Sequence, residues 1–156
     1  MNQRRKVLGA SARVAAALVA AGWLPQRAFA QQAGVWNKAA FEAKSFGELM
    51  KAVGAGAPVE SRDVTLTAPD IAENGAVVPI AVATTAAGVR MLLILVEKNP
   101  NTLAASFDVS DAVESNFSTR VKMGQSSDVF AVAITGDGRA LFAKKDVKVT
   151  LGGCGG

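Results

Sequence analysis

Met91-Leu-Leu-Ile-Leu-Val96 is an unbroken run of six apolar residues, and its length suits a strand covered on both faces. Upstream, Asp63-Val-Thr-Leu-Thr-Ala68 alternates, with Val64, Leu66 and Ala68 on one side. Between these two lies Ala76 to Ala83 (AVVPIAVA). It is apolar, but Pro79 has no N–H to give a ladder, so this strand is expected at an edge or a bulge. Downstream, Asn99-Pro100-Asn101 marks a turn. Leu103 to Val109, Phe117 to Met123 and Val129 to Thr135 then read as further strands. Gly136-Asp137-Gly138 reads as a tight hairpin leading into Arg139 to Ala143, followed by Val147 to Leu151. About eight strands separated by regular turns predict a mainly β chain, an immunoglobulin-like antiparallel β-sandwich. The paired cysteines and intervening core tryptophan of antibody domains are absent, so this expectation rests on strand number and rhythm.

Ahead of the strands, Trp36, Ala40, Phe41, Phe46, Leu49, Met50 and Val53 fall near helical spacing among Lys38, Glu42, Lys44, Glu48 and Lys51. One or two short amphipathic helices are predicted, broken near Ser45-Phe46-Gly47. Ser45 would cap the second, with Glu48 completing a capping box, and Gly54, Gly56 and Pro58 would end it. Two readings of the apolar stripe are open: a docking helix for a partner, or a helix covering the open side of the domain.

Residues 1–30 read as an export signal. Arg4, Arg5 and Lys6 are its positive region, Val14 to Leu24 its short apolar run, and Ala28-Phe29-Ala30 the small–x–small cleavage pattern. The apolar run falls short of the ~20 residues that span a bilayer, so no membrane anchor is expected in the mature form. Arg4-Arg5 suggests the twin-arginine route, hence export of a folded chain to the periplasm. An ordinary secretory signal is the other reading. The segment carries five of the seventeen basic residues and none of the thirteen acidic ones, leaving twelve against thirteen, a net charge of −1. Nothing in that balance suggests nucleic-acid binding.

What remains, residues 31–156, suits one domain: a sandwich with its helical start over residues 31–151 and a tail over residues 152–156. The chain has no histidine and one cysteine. Serine-protease-type triads, blue-copper sites, c-type haem attachment and the common zinc sites all need more. No phosphate-binding glycine loop is present. No metal or cofactor is expected, and the chain is poorly equipped for catalysis.

The single cysteine stands in the terminal Gly152-Gly153-Cys154-Gly155-Gly156. A leftover cysteine in an exported protein implies an intermolecular partner or a thiol with a task. Glycine has the widest backbone freedom and no side chain, so such a segment would swing and enter a narrow channel. Three extended residues would carry the thiol about 10 Å beyond Leu151. A free thiol titrates near ~8.5 and is only slightly ionised at neutral pH. No basic residue follows Lys148, so activation would have to come from a partner's site. An accidental cysteine on a dispensable terminus, and an exported structural module crosslinked through Cys154, are the other readings. A ubiquitin-like carrier also ends in Gly-Gly, but it works through its terminal carboxylate in the cytoplasm.

With its Gly-Gly-Cys-Gly-Gly tail, the chain resembles the SoxY family, carriers of the bacterial thiosulfate-oxidising (Sox) system. The segments LTAPDIAENGAVVPIAV (Leu66 to Val82), ILVEKNPN (Ile94 to Asn101), STRVKMGQSSDVFAV (Ser118 to Val132) and KVTLGGCGG (Lys148 to Gly156) are similar to that family as well. The resemblance implies that Cys154 is the covalent attachment point and that Gly152, Gly153, Gly155 and Gly156 form a swinging arm. It further implies a haem-containing enzyme that loads thiosulfate as a cysteine S-thiosulfonate, and a hydrolase that releases sulfate and leaves a persulfide. A sulfur dehydrogenase acts next where one is present, and a SoxZ-like β-sandwich subunit is the binding partner. The implied fold is immunoglobulin-like. Two groups stay open: Lys144, Lys145 and Lys148 as a docking patch or a solvated strand face, and Lys98-Asn99-Pro100-Asn101 as a family feature or a plain turn.

Overall fold

The structure, a computed structural model, describes residues 37–150. Two short helices, α1 (Lys38–Glu42) and α2 (Phe46–Ala52), precede nine strands. The strands are β1 (Pro58–Glu60), β2 (Val64–Thr67), β3 (Ile71–Ala72), β4 (Val78–Thr84), β5 (Val89–Val96), β6 (Leu103–Asp108), β7 (Asn116–Val121), β8 (Ser127–Thr135) and β9 (Ala140–Val149). The larger sheet runs β1-β9-β8-β5-β6, with β3 also on β9, and the smaller runs β2-β4-β7. The long pairings are antiparallel, as a sandwich of this kind requires. The two shortest strands, β1 and β3, add parallel pairings along one edge of β9, and periodicity had not revealed either. Two and three residues are too few to show an alternation.

The apolar run at 91–96 is covered on both faces for a definite reason. Leu92, Ile94 and Val96 point toward the small sheet, packing with Val78, Ile80, Val82, Val129 and Ala131. Leu93 and Leu95 point the other way, onto Ala40, Ala43, Leu49, Met50 and Val53 of the helical segment. All five residues from Leu92 to Val96 have 0 % exposure. Successive strand residues face opposite sides, so only a sheet with two covers can hold such a run.

The helices therefore cover the large sheet, which decides between the two readings of their stripe. Phe46 of α2 packs on Phe130 and Phe142 of the sheet, with ring centroids 5.0 and 5.9 Å away. The break falls at Ala43–Ser45, as the sequence suggests. The Ser45 side chain accepts from the Glu48 N–H at 3.3 Å. The reciprocal half of the capping box differs from expectation: the Glu48 carboxylate takes the N–H of Lys44, not of Ser45, at 2.8 Å. At the other end Gly54 has φ +67, the Ala55 N–H reaches Met50 O and the Gly54 N–H reaches Lys51 O. That is a Schellman closure, and its left-handed residue is glycine because a Cβ disfavours that conformation.

Two further expectations are corrected. Pro79 lies on the central strand of the small sheet, not on an edge strand. It is tolerated because β2 ends at Thr67, opposite Ala81, so one flank of Pro79 has no strand beside it. Residues 140–149 form one ten-residue strand, not two. The charged stretch Lys144-Lys145-Asp146 looked like a break. Its outward side chains simply lie beyond the area the helices cover, while Ala143 and Val147 continue the inner face.

The β8–β9 hairpin turns at Gly136–Gly138, with Gly138 at φ +85. Within it the Asp137 carboxylate accepts from the Thr135 hydroxyl and from Arg139 Nε. Those two bonds, Thr135's first, hold its pKa at about 2 against an ordinary 3.8. A depressed carboxylate stabilises the fold above its unfolded pKa, and that contribution is lost as pH falls through the folded value. Asp137→Asn is accordingly expected to flatten the fall of Tm between pH 3.8 and about 2. An identical acid limb for both proteins in thermal melts would refute this.

Candidate functional site

The residues singled out for chemistry or export, Arg4, Arg5, Ala28, Ala30, Gly152, Gly153, Cys154, Gly155 and Gly156, lie outside the described residues. What the structure places is the ground from which the tail departs. β9 starts at the hairpin and runs the length of the large sheet. It delivers Thr150 to the opposite end of the domain, about 33 Å away at the usual rise per residue.

That end is heavily cross-tied. The Lys148 N–H donates to Asp70 O at 3.0 Å and the Thr150 N–H to Ala72 O at 3.1 Å, continuing the parallel pairing with β3. The Thr150 hydroxyl donates to Glu73 O at 3.2 Å. From the other flank, the Val149 N–H donates to Ser126 Oγ at 2.9 Å. The loop carrying Ser126 is itself tied down, because Asn99 Nδ2 donates to Lys122 O at 2.7 Å and Asn99 Oδ1 accepts from the Gly124 N–H at 3.3 Å. Ser127 Oγ accepts from the Lys98 N–H at 3.0 Å, and the Met123 N–H reaches Gly75 O at 2.7 Å. Three loops, 70–77, 97–102 and 122–126, thus form one hydrogen-bonded collar around the last residues of β9.

Loops 70–77 and 122–126 lie within two of the segments whose resemblance had been noted, loop 97–102 falls in a third except for Thr102, and the fourth segment begins with Lys148. Sequence had presented them as four separate matches. Their meeting at one end of the sandwich follows from topology, since β5 ends, β8 begins and β9 ends there. Asp70, Glu73, Asn99 and Ser126 were not singled out as site residues. Their signal was present in those segments, but backbone-directed hydrogen bonds leave no periodic trace.

The lysines resolve individually. Lys145 faces inward beside the small sheet, donating to Ala68 O at 2.6 Å and pairing with Asp70 at 2.9 Å. Lys144 pairs with Asp128 at 3.6 Å and Lys148 with Asp146 at 2.7 Å on the outer face. Asp128 and Asp146 stand directly opposite each other across the ladder. Like charges so placed repel, and the two flanking lysines offset that repulsion. The Asp146 hydrogen bond raises the Lys148 pKa above its ordinary 10.5. All three lysines are engaged within the chain. Among the described residues, no group of three or more His, Cys, Asp or Glu is arranged to hold a metal ion.

Comparison with known proteins bears on the same end of the molecule. A family model described as sulfur oxidation protein SoxY matches residues 49–154, so the match closes on Cys154 itself. Among solved structures, the sulfur carrier protein SoxY from Chlorobium limicola f thiosulfatophilum superposes with a TM-score of 0.60 at 33% identity, covering 67% of this chain and 94% of that one. A superoxide reductase (neelaredoxin) variant from Ignicoccus hospitalis superposes with a TM-score of 0.52 at 16% identity, covering 67% of this chain and 98% of that one. The latter likeness is one of fold. None of the curated proteins matches the chain.

Proposed function

The chain belongs to the SoxY family of sulfur oxidation proteins, and from that membership we propose that it is a periplasmic sulfur carrier whose attachment point is Cys154. The observation that carries the reading is the family match running through to the only cysteine of the chain. The collar around Thr150 supports it: a carrier needs a stiff body at the root of a short arm, so that the thiol is presented in a narrow range of directions.

The chemistry is redox-balanced only with partners. The Cys154 thiolate and the outer sulfur of thiosulfate join as Cys–S–S–SO3−, releasing two electrons to the haem-containing enzyme that loads the carrier. Water then attacks the sulfonate sulfur in a hydrolase site, releasing sulfate and two protons and leaving Cys–S–S−. A sulfur dehydrogenase, where present, takes six electrons from that outer sulfur while three waters supply its oxygens and lose six protons, giving Cys–S–SO3−, and a second hydrolysis releases sulfate and frees the thiolate. The carrier supplies position and a nucleophile, and its partners supply the oxidant and the activated water. A SoxZ-like β-sandwich subunit is the proposed binding partner. Arg4 and Arg5 fit export of the folded chain, with cleavage after Ala30.

Intact mass with C-terminal peptide mapping, on protein taken from cells oxidising thiosulfate, tests the proposal. Thiosulfonate or persulfide adducts on Cys154, removed by reductant, are the expected result. A bare thiol or a symmetrical disulfide during active turnover would instead favour a structural module crosslinked through Cys154.

A further inference from the structure

Thr150, the final described residue, is pinned to Ala72 and Glu73, and Cys154 follows four residues later. Four residues span at most about 14 Å. Any enzyme that takes the Cys154 thiol into its own site must therefore touch the carrier near Thr150, because a tail this short brings no other surface within range.

The exposed surface there has a distinctive apolar member. Ile71 immediately precedes Ala72, whose carbonyl holds Thr150, and is 61 % exposed. Its neighbour Ala72 faces the core, so Ile71 points outward, in register with Lys148. Val77, 52 % exposed, stands on the same loop. Among the described residues these are two of only four large apolar side chains left in solvent. Lys148, in register with Ile71, pairs with Asp146, and Asp70 beside it pairs with Lys145. An exposed apolar spot with polar and charged neighbours has the anatomy of an interface centre.

The geometry points to Ile71, seconded by Val77, as the contact on which the enzyme that loads Cys154 seats the apolar mouth of its channel. This inference rests on the carrier reading above and names the surface that reading leaves open. The structure also supplies an internal control. Val59 is 60 % exposed along the same edge of β9, opposite Leu141, while Ile71 lies opposite Lys148. Seven residues of strand separate the two positions, about 23 Å, which places Val59 outside the reach of the tail.

The experiment follows the growth of the Cys154 adduct by intact mass after thiosulfate is added to cells producing wild type, Ile71→Asp, Ile71→Lys, Val77→Asp or Val59→Asp. Both Ile71 variants are expected to load about tenfold more slowly or worse, the loss of one well-packed interface side chain. Val77→Asp is expected to lie between them and wild type, and Val59→Asp to load within twofold of wild type. The purified variants should react with a small disulfide reagent, dithiobis(nitrobenzoic acid), at the wild-type rate, showing that the thiol itself is unchanged. Normal loading of both Ile71 variants, or an equal loss in Val59→Asp, would overturn the inference. So would a loss in only one of the Ile71 pair, which would signify charge and not apolar contact. A drop in the native mass of the purified protein with Ile71→Asp would assign the surface to a constitutive subunit instead. Wild type without any adduct would remove the carrier reading, and this inference with it.

Discussion

Cys154→Ser is expected to fold and accumulate like wild type while thiosulfate-dependent oxygen uptake falls to the level of a strain lacking the protein. Both halves of the expectation have a physical basis. Among the described residues the buried members of the two cores run from Ala40 to Val147, and exchanging one sulfur atom for oxygen at residue 154 is a conservative change, expected to shift stability by no more than about 0.5 kcal/mol. The hydroxyl of serine, by contrast, ionises far outside the physiological range and forms no bond to sulfur equivalent to a disulfide, so no adduct can be loaded. The loss should be complete and not graded, because the chain holds no second cysteine to take over. Oxygen uptake and intact mass on the same cultures provide the check. Retained thiosulfate oxidation in the serine variant would end the carrier mechanism.

Leu49→Ala is the second large effect, and it acts on stability. Leu49 sits on α2 with 0 % exposure, among Leu93, Leu95, Phe130 and Val132. Truncating a leucine so enclosed costs about 2–5 kcal/mol, the spread depending on how far the surroundings collapse into the space. In a domain of this size that corresponds to a fall in Tm of roughly 10–20 °C. Thermal melts of the two proteins decide it. A shift of only a degree or two would mean that the helices contribute little to the domain, and would return them to the role of a docking element for a partner.

Those two positions mark the division between what the chain discloses directly and what its folding decides. Apart from β1, β3 and the full length of β9, the strands were legible because half-buried strands alternate and fully buried ones do not, and MLLILV at 91–96 needed a cover on each side before any fold was known. The family tail was legible because a lone cysteine among four glycines is a pattern of residue types, which the sequence displays without any folding. The continuity of β9 was not, since Lys144-Lys145-Asp146 interrupts its apolar pattern for a reason found only in space: the helices end short of it and leave that face to water. Nor was the tolerance of Pro79 on a central strand, which depends on where β2 happens to stop.

The collar at the root of the tail is the clearest instance. Asp70, Glu73, Asn99, Ser126 and Thr150 span eighty residues of sequence, and their hydrogen bonds run mainly to backbone atoms, which every residue possesses. By itself the sequence determined the β class and the lone cysteine set in a glycine tail, because periodicity and residue chemistry are local properties. Which loops surround that cysteine's point of departure, and which exposed side chain stands beside it, only the tertiary structure decided, because strand order brings distant carbonyls and side chains to one end of a sandwich and no local pattern records that order.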